Sequence, residues 1–255
     1  MADGLEATDV RVAYGGNVAV SAATLAAPVG RITGLIGPNG AGKTTTFNAC
    51  NGLLRPSAGT VHLFGRDVTH ASVADRAQMG LGRTFQIVEV CDSMTVAANV
   101  ALGLEARLVG GNALRQFWAG KAQRRQIADA TEKAMELCGI TDLGAQPTST
   151  LSTGQRRLLE LARVVAGGFR LLLLDEPSSG LDAAETEQFG RILLRVLADH
   201  GLGILLVEHD MALVMRICDY LYVLDFGQMI FEGTPAETQD SAVVRAAYLG
   251  DEGVA

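Results

Sequence analysis

The sequence predicts an α/β fold built on a parallel sheet, with an antiparallel β-rich start and an inserted helical subdomain. Short apolar runs at residues 32–36, 171–174 and 204–207 have the composition of strands that are buried on both faces. A helical pattern at 185–197 separates the last two runs, which gives a parallel βαβ unit. The 255 residues, with 48% hydrophobic residues and 30 glycines, fit one compact glycine-punctuated unit.

Local patterns predict the segments outside this βαβ unit. Apolar residues alternate up to Tyr14 and a Gly-Gly-Asn turn follows, which predicts antiparallel strands at the N-terminus. The pattern is mainly helical from about residue 94 to residue 138, and glycines interrupt it. Residues 222–231 are typical of a hairpin, and residues 237–249 are typical of a closing helix.

These elements predict one domain over residues 1–250, followed by a short tail at 251–255. The core comprises about residues 1–87 and 151–250, and the helical lobe comprises about residues 88–150. The core is therefore predicted to be split around the lobe.

Composition and charge exclude several classes of protein. A net charge of -7 and a pI near 5.1 argue against a nucleic-acid partner, because such binding needs clustered basic residues. No apolar stretch approaches the ~20 residues that cross a bilayer, and the first residues do not form a signal peptide, so we expect a soluble, unexported chain. The four cysteines are scattered without metal-ligand spacing, which predicts buried thiols.

A phosphate-binding loop lies between the first predicted core strand and a helix at 44–53. Every fixed position of the pattern is matched by Gly37, Pro38, Asn39, Gly40, Ala41, Gly42, Lys43 and Thr44. The glycines let backbone N–H groups wrap an anion at the helix N-terminus, Lys43 adds positive charge, and Thr44 can ligate Mg²⁺. Thr45 is assigned to the nucleotide site with them. A chance glycine-rich turn is the alternative, but the strand-to-helix context favours a nucleotide site.

Two carboxylates follow the apolar run at 171–174. Because parallel strands gather their ligands at their carboxyl ends, Asp175 and Glu176 are predicted to lie at the edge that carries the phosphate loop. Asp175 would hold Mg²⁺ through water, and Glu176 would orient and deprotonate the attacking water during γ-phosphoryl transfer. The alternative is that these acidic residues cap a helix.

A second anion-binding helix start follows the lobe. Ser152, Gly154 and Gln155 open a probable helix whose apolar residues recur at spacings of three and four. One triphosphate does not need two such helix starts within a monomer. The economical interpretation is that Ser152 and Gly154 serve a nucleotide on a partner subunit.

With these motifs in this order, the chain from about Leu5 to Gly250 resembles the ATP-binding subunit of an ABC transporter. The resemblance implies ATP and Mg²⁺ as cofactors and ATP hydrolysis coupled to solute transport. It further implies that Tyr14 stacks on adenine, Gln86 senses the γ-phosphate and Mg²⁺, His209 supports the transition state, and Asp182 communicates across a dimer.

Three of these residues have a simpler structural interpretation. Tyr14 could be an ordinary strand aromatic, Gln86 a solvated loop amide, and His209 a histidine satisfied by local hydrogen bonds.

A local basic patch could touch lipid headgroups or a membrane partner, although a solvated helix face is the simpler interpretation. The patch consists of Arg115, Trp118, Lys121, Arg124 and Arg125.

Four further segments are similar to those of branched-chain amino acid importers: residues 82–86, 207–211, 232–235 and 247–250. The extended segment around 105–126 resembles the larger ATPase subunit of these importers. The resemblance implies two integral permeases, a second ATPase in a head-to-tail pair, an extracytoplasmic solute-binding protein, and a place at the cytoplasmic face of the membrane. Thr153 and the pair Asp182-Ala183 depart from the subfamily pattern, which leaves ATP binding untouched but puts the substrate in doubt.

Three alternatives to branched-chain amino acid import remain at this point. An importer of urea, amides or other amino acids would carry the same motifs. A soluble ABC ATPase in assembly or repair would lack permease partners. A nucleotide-binding regulator without turnover is disfavoured because the chain has all four residues expected for turnover: Lys43, Gln86, Glu176 and His209.

Overall fold

The computed structural model describes residues 3–84, 90–109 and 120–249. Within these ranges ten strands form one sheet. The strands are β1 (Gly4–Tyr14), β2 (Asn17–Pro28), β3 (Ile32–Ile36), β4 (Ala58–Leu63), β5 (Arg66–Asp67), β6 (Leu81–Arg83), β7 (Leu171–Asp175), β8 (Gly203–Val207), β9 (Tyr220–Asp225) and β10 (Gln228–Gly233).

The same ranges contain nine α-helices and two single 3₁₀ turns at Thr141–Leu143 and Thr148–Thr150. The helices are α1 (Lys43–Asn51), α2 (Val73–Met79), α3 (Val96–Val109), α4 (Lys121–Cys138), α5 (Thr153–Ala166), α6 (Ala183–His200), α7 (Met211–Ile217), α8 (Pro235–Asp240) and α9 (Ala242–Leu249).

The sheet has an antiparallel end and a parallel end. Its order is β5-β4-β1-β2-β10-β9-β3-β8-β7-β6. Strands β1, β2, β4 and β5 pair antiparallel, whereas β9, β3, β8, β7 and β6 pair parallel. The βαβ unit predicted from the apolar runs is confirmed, because β7 and β8 pair in parallel on either side of α6.

The parallel strands are buried on both faces, as their unbroken apolar runs require. Every residue of β3, β7 and β8 is buried. Leu172 and Leu174 face a cluster that contains the apolar residues of α5, α6 and α7, whereas Leu171 and Leu173 face a cluster that contains Phe47 of α1. The sheet therefore lies between two apolar layers.

Helices α3 and α4, from the segment predicted as an inserted lobe, pack against each other and against α5. Gly103 of α3 allows a close approach to α5, because a Cβ there would overlap the carbonyl oxygen of Arg163. Arg107 donates hydrogen bonds to the carbonyls of Gly167 and Gly168, just beyond α5. These contacts hold α5 and α3 together, and the lobe boundaries of 88–150 stay a prediction.

The predicted single closing helix at 237–249 is wrong. Two helices, α8 and α9, are separated by Ser241, whose backbone is extended. Thr234 begins α8 through a capping box with Glu237, and the Ser241 hydroxyl accepts a hydrogen bond from the backbone N–H of Val244. A new cap at Ser241 therefore starts a second helix where periodicity alone suggested continuity.

The buried side chain of Arg76 ties α2 to the end of α1. Its guanidinium is 1% exposed and donates to the carbonyls of Ala49 and Cys50 at 2.9 and 2.6 Å, and to that of Val68 at 2.6 Å. The first two carbonyls belong to the last turn of α1, where the Ala49 carbonyl also accepts from the Gly52 N–H at 3.2 Å, and the guanidinium supplies the donor for the Cys50 carbonyl. Arg76 thus caps the helix that begins at the phosphate loop.

Candidate functional site

The phosphate loop joins β3 to α1 as predicted. Gly37, Gly40 and Gly42 adopt φ values of 151°, 76° and 99°, which only glycine adopts without strain. A Cβ at Gly37 would also overlap the carbonyl oxygen of Leu224 in β9. The loop is therefore fixed to the neighbouring strand by a contact that a larger residue would prevent.

A pocket of about 420 Å³ opens beside the loop. It is lined by Asn17, Val18, Ala19, Asn39, Gly40, Ala41, Gly42, Lys43, Thr44, Thr45, Glu176 and Phe226. Six predicted loop residues and Glu176 are thus brought together in one cavity. Gly37 and Pro38 form the start of the loop, and their carbonyls accept hydrogen bonds from the Lys43 ammonium at 2.7 and 2.9 Å.

Asp175 and Glu176 lie at the carboxyl end of β7, as predicted. Asp175 is 2% exposed, and burial raises the pKa of its carboxyl, while the Arg83 guanidinium acts in the opposite direction. Glu176 follows with a φ of 46°, and its backbone N–H donates a hydrogen bond to the carbonyl of Val207 at 2.8 Å. A non-glycine residue with a positive φ is uncommon, and here it turns the chain so that Glu176 lines the phosphate pocket.

Arg83 was not predicted to take part in this site. It lies 3.4 Å from the Asp175 carboxylate, donates to Asn48 Oδ1 at 2.8 Å, and stacks 5.0 Å above the Phe47 ring. Residues of α1 thus hold the guanidinium beside the carboxylate. The only sequence signal was an arginine inside the segment that precedes Gln86.

Glu208 is the second residue that was missed. Its side chain is buried, and Oε1 accepts from the N–H of Ser178 at 2.8 Å. Its other oxygen accepts from the N–H of His209 at 3.1 Å. One carboxylate therefore joins the loop after Glu176 to the loop that carries His209. A charged residue directly after an apolar strand was the available signal.

The imidazole of His209 is 61% exposed, and its Nδ1 lies 3.8 Å from Glu208. Tyr14 is 52% exposed at the end of β1 and pairs with Asn17, which lines the phosphate pocket. Neither Tyr14 nor His209 lines that pocket itself. Gln86 lies outside the described residues, as do Arg115 and Trp118 of the basic patch.

Ser152 is the N-cap of α5. Its hydroxyl accepts from the Gln155 N–H at 3.2 Å, and Gln155 Oε1 accepts from the Ser152 N–H at 3.0 Å. The Glu185 carboxylate lies directly over Gly154, 2.4 Å from where a Cβ would be. Ser152, Gly154 and Gln155 line a separate pocket of about 360 Å³ that shares no lining residue with the phosphate pocket.

Asp182 caps α6. Its carboxylate accepts from the Glu185 N–H at 2.8 Å, and Glu185 accepts from the Asp182 N–H at 3.1 Å. The same Glu185 faces Gly154, so the loop that ends at Asp182 is packed against the start of α5. Loop and helix start therefore form one structural unit.

Tyr248 brings α9 to the phosphate loop. Burial raises the pKa of its phenol to about 12, and a backbone hydrogen bond with Gly37 acts in the opposite direction. The sequence indicated Tyr248 only as part of a subfamily segment. Its contact shows that the C-terminal helix supports the first residue of the loop.

Comparison with known proteins decides the family. Residues 20–179 match the family model described as ABC transporter. The chain belongs to the ABC transporter family. As a member with this cassette fold, it is an ATP-binding ATPase of a transport system. None of the described helices is long and apolar enough to cross a membrane.

Several relatives match over nearly their full length. The high-affinity branched-chain amino acid transport ATP-binding protein BraF of Pseudomonas aeruginosa is 35% identical over 97% of this chain and 98% of its own length. LivG of Escherichia coli K12, also a high-affinity branched-chain amino acid transport ATP-binding protein, is 34% identical over 97% of this chain and 98% of its own length. The lipopolysaccharide export system ATP-binding protein LptB of Acidithiobacillus ferridurans is 34% identical over 99% of both chains.

Solved structures show the same fold. The ADP conformation of MJ1267, an ATP-binding cassette of an ABC transporter, gives a TM-score of 0.84 at 26% identity and covers 98% of this chain and 100% of its own. The cbiO1 protein of Clostridium perfringens, part of the ABC transporter complex cbiONQ, gives a TM-score of 0.83 at 25% identity. The match covers 98% of this chain and 100% of the cbiO1 chain. The predicted cassette fold is confirmed.

Proposed function

We propose that this chain is the ATP-hydrolysing subunit of a membrane importer for branched-chain amino acids. The observation that carries the proposal is full-length similarity to BraF and LivG, whose names state that cargo. The pocket that joins the phosphate loop to Glu176 supports the hydrolytic part. An importer of another cargo, such as urea or amides, would have an ATPase subunit with the same motifs.

In this proposal the triphosphate occupies the phosphate loop. Backbone N–H groups at the start of α1 and the Lys43 ammonium bind its oxygens. Lys43 donates to the carbonyls of Gly37 and Pro38, and these bonds hold its ammonium at the loop.

The residues present fit Mg²⁺. Such an ion is usually held by one or two protein side chains together with phosphate oxygens and water. Thr44 lines the phosphate pocket, and the buried carboxylate of Asp175 directly precedes Glu176, which lines the same pocket. Gln86 is proposed as a third ligand. A bound Mg²⁺ would neutralise the charge that develops on the phosphates.

Glu176 is proposed as the general base. Its strained backbone turns it into the phosphate pocket, where it would orient and deprotonate the attacking water. His209, carried on the loop that Glu208 fixes, would support the transition state. Tyr14 would stack on adenine beside Asn17.

The start of α5 is proposed to serve the nucleotide of a second ATPase in a head-to-tail dimer. Its pocket is separate from the phosphate pocket of the same chain, which supports a role in trans. Asp182 would carry the signal between subunits, because Glu185 connects it to Gly154. ATP-driven dimerisation would then open the permeases.

The proposed partners are two integral permeases, a second ATPase that differs from this chain, and an extracytoplasmic solute-binding protein. The permeases would hold the chain at the cytoplasmic face of the membrane. The acidic balance, with a net charge of -7, supports the expectation that no nucleic acid takes part.

Affinity purification of the tagged chain from detergent-solubilised membranes, with mass spectrometry of the accompanying proteins, tests the proposal. We expect two permeases, a second ATPase and a solute-binding protein that binds leucine, isoleucine or valine. Partners that bind lipopolysaccharide would instead support export, which the similarity to LptB favours as a second candidate. Soluble partners alone would contradict both.

A further inference from the structure

The hairpin between β9 and β10 turns through two residues, Phe226 and Gly227. Their φ values are 44° and 72°, which is the pattern of a type I′ turn. This turn favours Asn, Asp or Gly at its first position, because a bulky side chain is strained at positive φ. Phenylalanine is therefore an unfavourable residue for the turn itself.

Packing does not compensate this strain. The Phe226 side chain is 90% exposed, so its ring buries almost no area within the described chain. An unfavourable backbone combined with an exposed aromatic ring gives the fold no benefit. Strain of this kind, when it occurs beside a ligand pocket, indicates a functional constraint.

The turn is held firmly against the phosphate loop. The Gly227 N–H donates to the Ala41 carbonyl at 2.9 Å, and the Gly227 carbonyl accepts from the Ser21 N–H at 2.8 Å. A Cβ at Gly227 would lie 2.5 Å from the carbonyl oxygen of Ala19. The Phe226 ring is thus carried by a fixed turn, and it lines the same pocket as the loop.

The sheet order shows which end of a nucleotide would meet this ring. Strand β3 leads into the phosphate loop, with β8 and β7 on one side and β9, β10 and β2 on the other. Glu176 follows β7, so the γ-phosphate end belongs on that side. Phe226 follows β9, so it belongs with the nucleoside end, on the same side as Val18 and Tyr14. This step rests on the proposed phosphate site and base.

We propose that Phe226 binds the nucleoside part of ATP and forms a second aromatic contact beside Tyr14. A flat ring suits this task because it stacks on a base or packs against a ribose without needing a hydrogen bond. Val18, which is 39% exposed in the same pocket, extends the apolar wall. The loop binds the phosphates, and this wall binds the rest of the molecule.

The test compares ATP with inorganic tripolyphosphate, which lacks the nucleoside, by isothermal titration of the purified chain. Phe226→Ala is expected to weaken ATP binding about tenfold, within the range for loss of one base–aromatic stack, and to leave tripolyphosphate affinity unchanged. Phe226→Tyr keeps the ring and retains ATP affinity. Phe226→Asn suits the turn, so it should raise the melting midpoint by about 2–4 °C while it weakens ATP binding.

An ATP affinity of Phe226→Ala within twofold of the wild type would overturn the proposal. Equal losses for ATP and tripolyphosphate would also overturn it, because the substitution would then act through the loop. Unchanged ATP affinity with impaired subunit association would assign Phe226 to a protein contact instead. Lys43→Ala is the control for the phosphate site. If Lys43→Ala leaves the binding of both ATP and tripolyphosphate unchanged, the proposed phosphate site is wrong. If Lys43→Ala weakens the binding of both ligands and Phe226→Ala weakens the binding of neither, only the proposed role of Phe226 is wrong.

Discussion

Replacing the buried carboxylate of Glu208 by an amide should uncouple two loops of the ATP site. In the native chain one carboxylate oxygen of Glu208 accepts a hydrogen bond from the backbone N–H of Ser178 at 2.8 Å. The other oxygen accepts one from the backbone N–H of His209 at 3.1 Å. Glutamine has a single carbonyl oxygen, so in Glu208→Gln one of these N–H groups faces an NH₂ group. The substitution keeps the size of the side chain and changes only its hydrogen bonding.

The cost follows from the number of bonds lost. A hydrogen bond to a charged group contributes about 1.5–3 kcal/mol, and the abandoned N–H is left buried without an acceptor. We expect Glu208→Gln to lower the free energy of unfolding by about 2–3 kcal/mol, and the melting midpoint by about 5–10 °C. Neither oxygen contacts the phosphate loop, so the affinity for ATP should stay unchanged while kcat falls, because His209 is displaced.

Denaturant unfolding, ATP titration and steady-state hydrolysis by the assembled transporter measure the three effects. Glu132→Gln, on the exposed face of α4, is the matched control and should change none of them. A Glu208→Gln variant as stable as the control would refute the reasoning, because burial of the charge would then have cancelled its hydrogen bonds. A rise in KM without a fall in kcat would refute the proposed positioning of His209.

Three further outcomes follow from the described contacts. Arg76→Met should destabilise the chain by about 3 kcal/mol in denaturant unfolding, because the buried carbonyls of Cys50 and Thr69 lose the guanidinium that donates to them, and a loss below about 1 kcal/mol would contradict this. Gly37→Ala should weaken ATP binding by at least about tenfold, or ~1.4 kcal/mol, because its Cβ would overlap Leu224; a fully active variant would show that the loop can move. At pH 8 a disulfide reagent should modify only the exposed Cys91 quickly, and Cys91→Ser should remove that phase. Burial raises the pKa of the other three thiols to about 12, so they should react only on unfolding: Cys50, Cys138 and Cys218.

Local patterns predicted the parts of the site that lie close together in the sequence. The run at 32–36 and the glycines after it determine a strand, a loop and a helix within twenty residues, and all three occur where expected. Asp175 and Glu176 were also placed correctly, because the carboxyl end of a buried parallel strand has a known position in the sheet. These assignments needed no knowledge of distant contacts.

Contacts between distant segments could not be predicted in this way. Glu208 reaches Ser178 only because β7 and β8 pair in a register that sets Asp175 opposite Val207. The role of Arg83 depends on α1, which brings Asn48 to its guanidinium. The order of the strands in the sheet could not be predicted from local patterns either. That order sets β9 next to β3 and so places Phe226 beside the phosphate loop.

Uptake of radiolabelled leucine by proteoliposomes that contain the purified transporter tests the central claim most directly. With ATP on the side of this subunit and leucine-loaded binding protein on the other, the wild-type complex should accumulate leucine. Glu176→Gln should lower hydrolysis and uptake by at least about 100-fold, as expected for loss of a general base, while ATP still binds. Wild-type rates in Glu176→Gln would contradict the assignment of the base. ATP hydrolysis without accumulation of leucine, isoleucine or valine would contradict the assignment of the importer.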